Sequence, residues 1–481
     1  MYLQLEVLRY CFPSSVRSTL EDLPEGLDET YERILREIRK PNRGHAHRLL
    51  QCLVAAVRPL QVKELAEVLA VDFIAEGIPK LNVGWRWGDQ EEAVLSICSC
   101  LVNIREDGDL RKVEFLHFTV QEFLMENRLA EPIRDISRYH IRLEAAHTIL
   151  AQACVGVLLQ LGDRIDRDSI ENFPLARYAA RYWATHARSE PSHLKDGMEC
   201  LFDADRPHFA TWLWIHNEDE GGRSLSTFGP EVPQAVPLYY AAMLGFRRLA
   251  EHLIAEHPEH IGARGGSQET PIHVTAMAGH VDVLSLLLEQ GVDVDLRETL
   301  GQTPLHSAAW LGKVEAGQFL LDRGADIGAQ DDNGWTPLFP AAIKGQVEFA
   351  RMLLDRGAAI EARNTSGETA LHQAVFGGDI QIVRFLLEHG ADINACDGSG
   401  QTPSELGTAW GHHDIVEVLQ SEYGAGPVLP MALLSEYSHF GPGFMELLAE
   451  YGTESGSEEL LSEYGTESVE LLSEHDAESA E

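Results

Sequence analysis

Five threonines, Thr270, Thr303, Thr336, Thr369 and Thr402, are each separated by 33 residues. Gly279, Gly312, Gly345, Gly378 and Gly411 keep the same spacing, as do Gly291, Gly324, Gly357 and Gly390, with Gly424 closing the last unit. A period of this length builds a stack of like units in which each buries its apolar face only against its neighbours. The fullest copy is "GQTPLHSAAWLGKVEAGQFLLDRGADIGAQDDN". Thr303 suits a helix N-cap and Pro304 the first helical position, where a missing N–H costs nothing. Leu305, Ala308 and Ala309 supply a narrow apolar face, and Gly312 ends the first helix. Phe319, Leu320 and Leu321 are expected on the inward face of a second helix, which Gly324 ends. The polar turn Asp331-Asp332-Asn333-Gly334 is expected to make a β-hairpin finger, with glycine free to take positive φ.

T-P-L-H, A-A-x-x-G and L-L-x-x-G-A-D closely resemble the ankyrin repeat. About six repeats span 236–424, with a degenerate first copy at "VPLYYAAMLGFRRLAEHLIAEHP". His273, His306 and His372 recur in the fourth place of T-P-L-H. The resemblance implies that they tie neighbouring turns by hydrogen bonds rather than bind metal; Phe339 and Glu405 interrupt the series. Three departures are expected to weaken the stack locally: Pro340 inside a first helix, Gly317 in a second helix, and "SELGTAWG" in the last repeat. His412-His413 reads as structural.

The family implies partner binding through the finger tips and the concave face of the first helices. The residues before the first glycine of each repeat supply Met277, Trp310, Leu311, Ile343, Lys344, Phe376 and Trp410. The fingers add Gln302, Trp335, Glu368 and Gln401. Three tryptophans and a phenylalanine are many for solvated positions, and aromatic side chains are the usual anchors of protein interfaces. The alternative is that these rings fold back onto the protein itself.

Acids outnumber bases 76 to 38 in 481 residues, a formal net charge of -38. A polyanion lacks the clustered Lys and Arg that nucleic acid or an anionic membrane requires. No apolar run reaches the roughly 20 residues that span a bilayer; "CVGVLLQLG" reads as a core helix. Seven scattered cysteines form no disulfide framework, and the lone C-x-C at Cys98 and Cys100 reads as two structural thiols. A cytoplasmic or nuclear location follows. H-E-x-x-H, G-x-S-x-G and paired C-x-x-C are absent, so no catalytic, cofactor or metal residue is assigned. His252, His257 and His260 in "EHLIAEHPEH" could form a ligand set, although histidines facing a helix C-terminal dipole are the plainer reading.

The first half carries a run of helical signals. Leu27, Tyr31, Ile34 and Leu35 share one stripe in "LPEGLDETYERILREI". Arg58-Pro59-Leu60 makes a turn before a helix through Val62, Leu65, Ala66 and Leu69. "AVLSICSCLVNI" and "KVEFLHFTVQEFLMEN" suggest a helix, the strands of a wing and a closing helix. "ENFPLARYAARYWATHA" is a short aromatic helix. This order resembles the region after the nucleotide-binding core of fungal NACHT-type receptors, also called STAND or NOD-like receptors, in their run-up to ankyrin repeats. That family's ATPase needs a G-x-x-x-x-G-K-[ST] loop. The sequence has none, so no nucleotide-binding residue is carried over, and the resemblance implies the C-terminal part of such a receptor without its NTPase core. The winged-helix reading raises DNA binding as a rival, but "QVKELAEVLAVDF" offers one Lys against three acids, the wrong balance for a reader of phosphates.

From Ala425 onward there is no Lys or Arg and 13 acids, with leucine pairs starting at Leu433, Leu447, Leu460 and Leu471. This reads as a disordered acidic tail. The expected architecture is mainly α. It comprises a helical end of a NACHT-type region (1–40), a winged-helix-like domain (41–135), a helical linker (136–235), the ankyrin solenoid (236–424) and the tail (425–481). The expected function is a non-enzymatic protein-interaction scaffold or sensor. The alternative is the ligand-sensing half of an ATP-dependent NACHT-type switch.

Overall fold

The stripe at Leu27, Tyr31, Ile34 and Leu35 becomes helix α1 (Leu27–Glu37), with the last three buried and Leu27 at its exposed start. The computed structural model describes residues 27–73, 78–98, 101–108, 110–130, 136–162, 165–188, 192–220, 235–265 and 268–424. The stretch 20–26, Cys11, Cys100 and the acidic tail lie outside these. The chain divides into two units, residues 1–233 and 234–481.

In the first unit, α2 (Arg43–Ala55), α3 (Val62–Val68) and α4 (Gln90–Cys98) precede an antiparallel wing, β3 (Val102–Asp107) and β4 (Leu110–Phe115), and a closing helix α5 (Phe118–Met125). A short pair, β1 (Val71–Asp72) and β2 (Lys80–Leu81), lies between α3 and α4. The wing pairs Val102 with Phe115 through to Asp107 with Leu110, and Leu60 O accepts a bond from Val113 N. The Arg58-Pro59-Leu60 turn is thereby fixed to the sheet. Every residue of α3 except Lys63 is buried. Its acids are internal anchors. Glu64 accepts both Arg58 guanidinium nitrogens at 2.9 and 2.7 Å and the Gln61 backbone N–H at 2.7 Å. Glu67 pairs with Arg86 and accepts the Leu175 N–H at 2.7 Å.

Helix α6 (Leu143–Leu158) is the apolar run foreseen as a core helix, and it packs on α2 and on α8 (Ala176–His186). Between α6 and α8 lies the single turn α7 (Arg167–Ile170); α9 (Lys195–Leu201) and α10 (Pro207–Glu220) follow. Trp183, Phe202, Phe209 and Trp212 form one aromatic cluster with centroids 5.3–5.9 Å apart, and Trp212 donates to Ala180 O at 2.9 Å.

The second unit consists of six helix pairs among the described residues. They are α11 (Pro237–Leu244) with α12 (Arg247–Glu256), α13 (Pro271–Ala278) with α14 (Val281–Glu289), and α15 (Pro304–Trp310) with α16 (Val314–Asp322). Then come α17 (Leu338–Ile343) with α18 (Val347–Asp355), α19 (Ala370–Gly377) with α20 (Ile380–Glu388), and α21 (Pro403–Trp410) with α22 (His413–Ser421). Each first helix packs on the next first helix and each second helix on the next second helix.

Two expectations change here. In α16 only Leu320 of the trio faces fully inward; Phe319 and Leu321 are half-buried, and Arg323 stacks on the Phe319 ring at 4.6 Å. The inward face is completed by Ala316 and Gly317. Gly317 is no weak point. A Cβ there would sit 2.6 Å from the ring of Phe349 and 2.9 Å from Met352, so the glycine makes room for a fully buried ring from the next repeat. Pro340 does leave a mark. The equivalent residues Val274, Ser307 and Gln373 donate N–H bonds to Thr270, Thr303 and Thr369. Pro340 has no N–H to give Thr336, and α17 is the shortest first helix of the array.

Helix propensity alone predicts that Gly317→Ala stabilises the array by up to ~1 kcal/mol. The packing predicts the reverse, a loss of about 1–3 kcal/mol from overfilling. Urea unfolding of the two proteins decides the sign.

Candidate partner-binding face of the repeat array

The three T-P-L-H histidines act as foreseen. His273, His306 and His372 place Nδ1 at 2.8, 2.9 and 2.9 Å from Thr270, Thr303 and Thr369 Oγ1. Thr303 and Thr369 also donate their backbone N–H to Nδ1. A nitrogen that accepts an N–H carries no proton, so the proton is on Nε2. Nε2–H reaches forward to the carbonyls of Gln302, Trp335 and Gln401 at 3.1, 2.8 and 3.2 Å. Each bond crosses from one first helix to the finger of the following repeat. Burial lowers all three pKa values, that of His273 to about 4. In the last repeat Glu405 replaces the histidine and accepts the Thr402 N–H at 2.9 Å, which seals the helix start. His280 and His412 make a second set of ties, to the carbonyls of Met243 and Phe376.

The fingers are hydrogen-bonded turns, not the hairpins of two strands foreseen from the sequence. Asp331 N, Asn364 N and Asp397 N donate to Trp335 O, Glu368 O and Gln401 O at 2.9–3.0 Å. The side chains of the same three residues accept from the backbone two and four residues on. Gly334, at φ 76°, turns the chain where a Cβ would press on Thr365 N of the next finger. Successive fingers are joined by Asp332 N to Leu300 O, Thr365 N to Asn333 O and Gly398 N to Ser366 O. Arg297 and Arg363 add a bond each to Gln330 O and Cys396 O. The signal for these arginines was available as a 33-residue spacing with Arg264 and was missed.

The fingers and helix ends carry the eleven residues expected to meet a partner. Met277 and Ile343 are buried, at 5% and 6% exposure, and offer almost no surface. They differ from expectation because α13 and α17 are buried on every side. Trp310, Leu311, Lys344 and Phe376 are half-buried, and Trp410 is exposed at 45%. The rings partly fold onto the array: Lys344 Nζ lies 4.5 Å from the Trp310 ring centre, and burial lowers its pKa. Phe376 and Trp410 meet edge to face at 5.0 Å. Trp335 stacks on Phe339 at 6.1 Å. Gln302, Glu368 and Gln401 are half-buried. Gln302 reaches Asp331, and Glu368 holds Asn364 and Gln373 at 2.6 and 2.9 Å. Burial raises the pKa of Glu368. The sequence reading passed over Leu300, 53% exposed on a finger. Asn333, Ser366 and Ser399 hold the equivalent places in the other fingers, so the apolar residue stood out by comparison.

Fold and face together define an ankyrin-repeat protein whose first half contains a winged-helix domain. Residues 238–331 and 358–429 match the ankyrin-repeat family in its three-copy form, and 311–354 match the many-copy form. Residues 31–133 match the winged helix domain of GPI inositol-deacylase. Among curated proteins, the azaphilone pigments biosynthesis cluster protein L of Monascus ruber is 32% identical over 294 residues, 57% of this chain. Alpha-latrocrustotoxin-Lt1a of Latrodectus tredecimguttatus is 34% identical over 61 residues, 13% of this chain. The chain spans 61% of the first relative's length and 4% of the second's. Ankyrin repeats are typically interaction modules. Among the described residues no helix is long and apolar enough to cross a membrane.

The neutral histidine ties make array stability depend on pH. His273 titrates near 6.5 when unfolded and near 4 when folded. Below pH 6.5 the unfolded chain therefore takes up more protons, and stability falls as pH drops toward 4, at ~1.4 kcal/mol per pKa unit. Comparison with His273→Gln removes the effect of net charge. The stability gap between the two proteins, roughly 1–3 kcal/mol at pH 7.5, is expected to close by pH 4. Denaturant titrations at both pH values measure it.

Proposed function

We propose that the chain is a non-enzymatic protein-interaction scaffold or sensor that takes a protein partner on the concave face and finger tips of its ankyrin array. The observation that carries this reading is Trp410, an indole left 45% exposed beside Phe376. Leu300 adds an apolar contact on a finger where the other repeats are polar. Trp310 and Trp335 offer further aromatic surface, each steadied by a neighbour, and an anchor that is already ordered loses less entropy on binding. Leu311, Lys344, Phe376, Gln302, Glu368 and Gln401 flank them. In this reading residues 41–135 serve as a winged-helix scaffold, 136–235 as a helical linker, and 236–424 as the working part, in a cytoplasmic or nuclear protein. Nucleic acid is not the partner proposed for the winged helix, because Lys63 is the lone exposed residue of α3.

A second reading makes the array the ligand-sensing part of a NACHT-type ATP-dependent switch. The winged-helix match at residues 31–133, placed ahead of ankyrin repeats, favours it. The two readings separate by experiment. Trp410→Ala, Trp310→Ala, Trp335→Ala and Leu300→Asn arrays are expected to keep the melting temperature of the parent within a few degrees. They are expected to lose about tenfold or more in affinity for a partner identified by affinity purification. Full affinity in all four proteins sinks the proposed face. Stoichiometric ATP binding by this chain contradicts the scaffold reading.

A further inference from the structure

Helix α12 ends at Glu256, and a short 3-10 helix, Pro258–Gly262, follows at once. His257 is the C-cap of one and the N-cap of the other, at φ -133° and ψ 68°, and its backbone N–H is held by Leu253 O. Pro258 fixes the next φ. His257, Glu259 and His260 therefore project from a backbone that is already set. Their ligand atoms lie within 4.8 Å of one another. His257 Nδ1 is 3.2 Å and His260 Nε2 3.9 Å from Glu259 Oε1. The two imidazoles are stacked, with centres 4.9 Å apart and 25° between planes.

That arrangement differs from histidines facing a helix dipole. The ring nitrogens converge on one carboxylate oxygen beyond the helix, and His252, the third histidine of the segment, lies outside the group. Zinc bonds of about 2.0–2.2 Å to nitrogen and oxygen require donor atoms about 3.0–3.5 Å apart. The 3.2 Å separation already meets this, and the 3.9 Å one needs a small turn of a half-exposed ring. Two imidazoles with one carboxylate suit borderline divalent ions and discriminate against calcium and magnesium, which take oxygen ligands. A net charge of -38 raises the local concentration of any cation.

We propose that His257, Glu259 and His260 form a binding site for a borderline divalent cation of the zinc class, at the junction between the first and second repeats. Three protein ligands leave at least one position to water, and the site is at the surface, so the ion exchanges freely. It clips the end of α12 to the 3-10 helix that leads into the next finger.

The test uses the full chain with Zn²⁺ and Co²⁺ alone. The parent is expected to bind Zn²⁺ in competition with a chromophoric chelator, at one site more than His257→Ala/His260→Ala. Glu259→Gln is expected to retain that site at about tenfold weaker affinity. Co²⁺ is expected to give a visible ligand-field band in the parent alone, and excess Mg²⁺ to leave both readouts unchanged. Zn²⁺ should also slow amide exchange across residues 258–263 in the parent. Matching circular dichroism spectra confirm that the double variant is folded, as expected for side chains this exposed. Equal Zn²⁺ stoichiometry and affinity in parent and double variant overturn the proposal, as does a Co²⁺ spectrum unaffected by the substitutions.

Discussion

A neutral imidazole that accepts from one repeat and donates to the next is the interaction on which the array depends. A single repeat has too little apolar area to stand alone, so its stability resides in the junctions. At three junctions His273, His306 or His372 spends Nδ1 on its own threonine and Nε2 on the carbonyl of the following finger. The imidazole fixes the start of a first helix and the base of the next finger together. A change in one is therefore felt by the other. A charged imidazole cannot do this, since protonated Nδ1 no longer accepts.

The same junctions determine what remains for a partner. The carbonyls of Gln302, Trp335 and Gln401 are used inside the array, while the Gln302 side chain reaches Asp331 and the Trp335 ring lies against Phe339. Positions first read as contact residues thus have a structural duty on the backbone. Met277 and Ile343 show the limit of the positional rule: their helices are enclosed on all sides, and an apolar side chain there becomes core. Where the helix end is larger, at Trp310, Phe376 and Trp410, the excess volume spills to the surface. The rings then find partners among themselves or under Lys344.

Much of the fold was legible because period and chemistry agreed. The 33-residue spacing located each helix pair, and the glycines located each turn. The wing and its flanking helices were legible from the order of the segments rather than from any single motif. What was not legible depended on the neighbour. Gly317 reads as a defect in its own helix and becomes a fit only when Phe349 of the next repeat is in view. Phe319 and Leu321 look inward by spacing, yet a junction this narrow admits Leu320 with Ala316 and Gly317 alone. Charge misled in a similar way. The acids of α3 counted against DNA binding as surface charge, whereas Glu64 and Glu67 are buried anchors for Arg58, Arg86 and the Leu175 backbone. The helix that would read a groove is itself core, with Lys63 its one exposed residue.

Burial of that helix also constrains how the first half can act. A buried carboxylate that holds two segments cannot be moved without leaving an uncompensated charge, which is strongly destabilising. Glu67 binds α3 to the loop before α8 through the Leu175 N–H and to Arg86 through its guanidinium. Burial raises its pKa, while the Leu175 N–H and Arg86 oppose that shift. The Leu175 N–H and the Arg86 guanidinium thus tie the winged helix to the start of α8 through one buried carboxylate. The array is tied in the opposite way. Its junctions are many, and each is held by a few hydrogen bonds between neighbouring repeats.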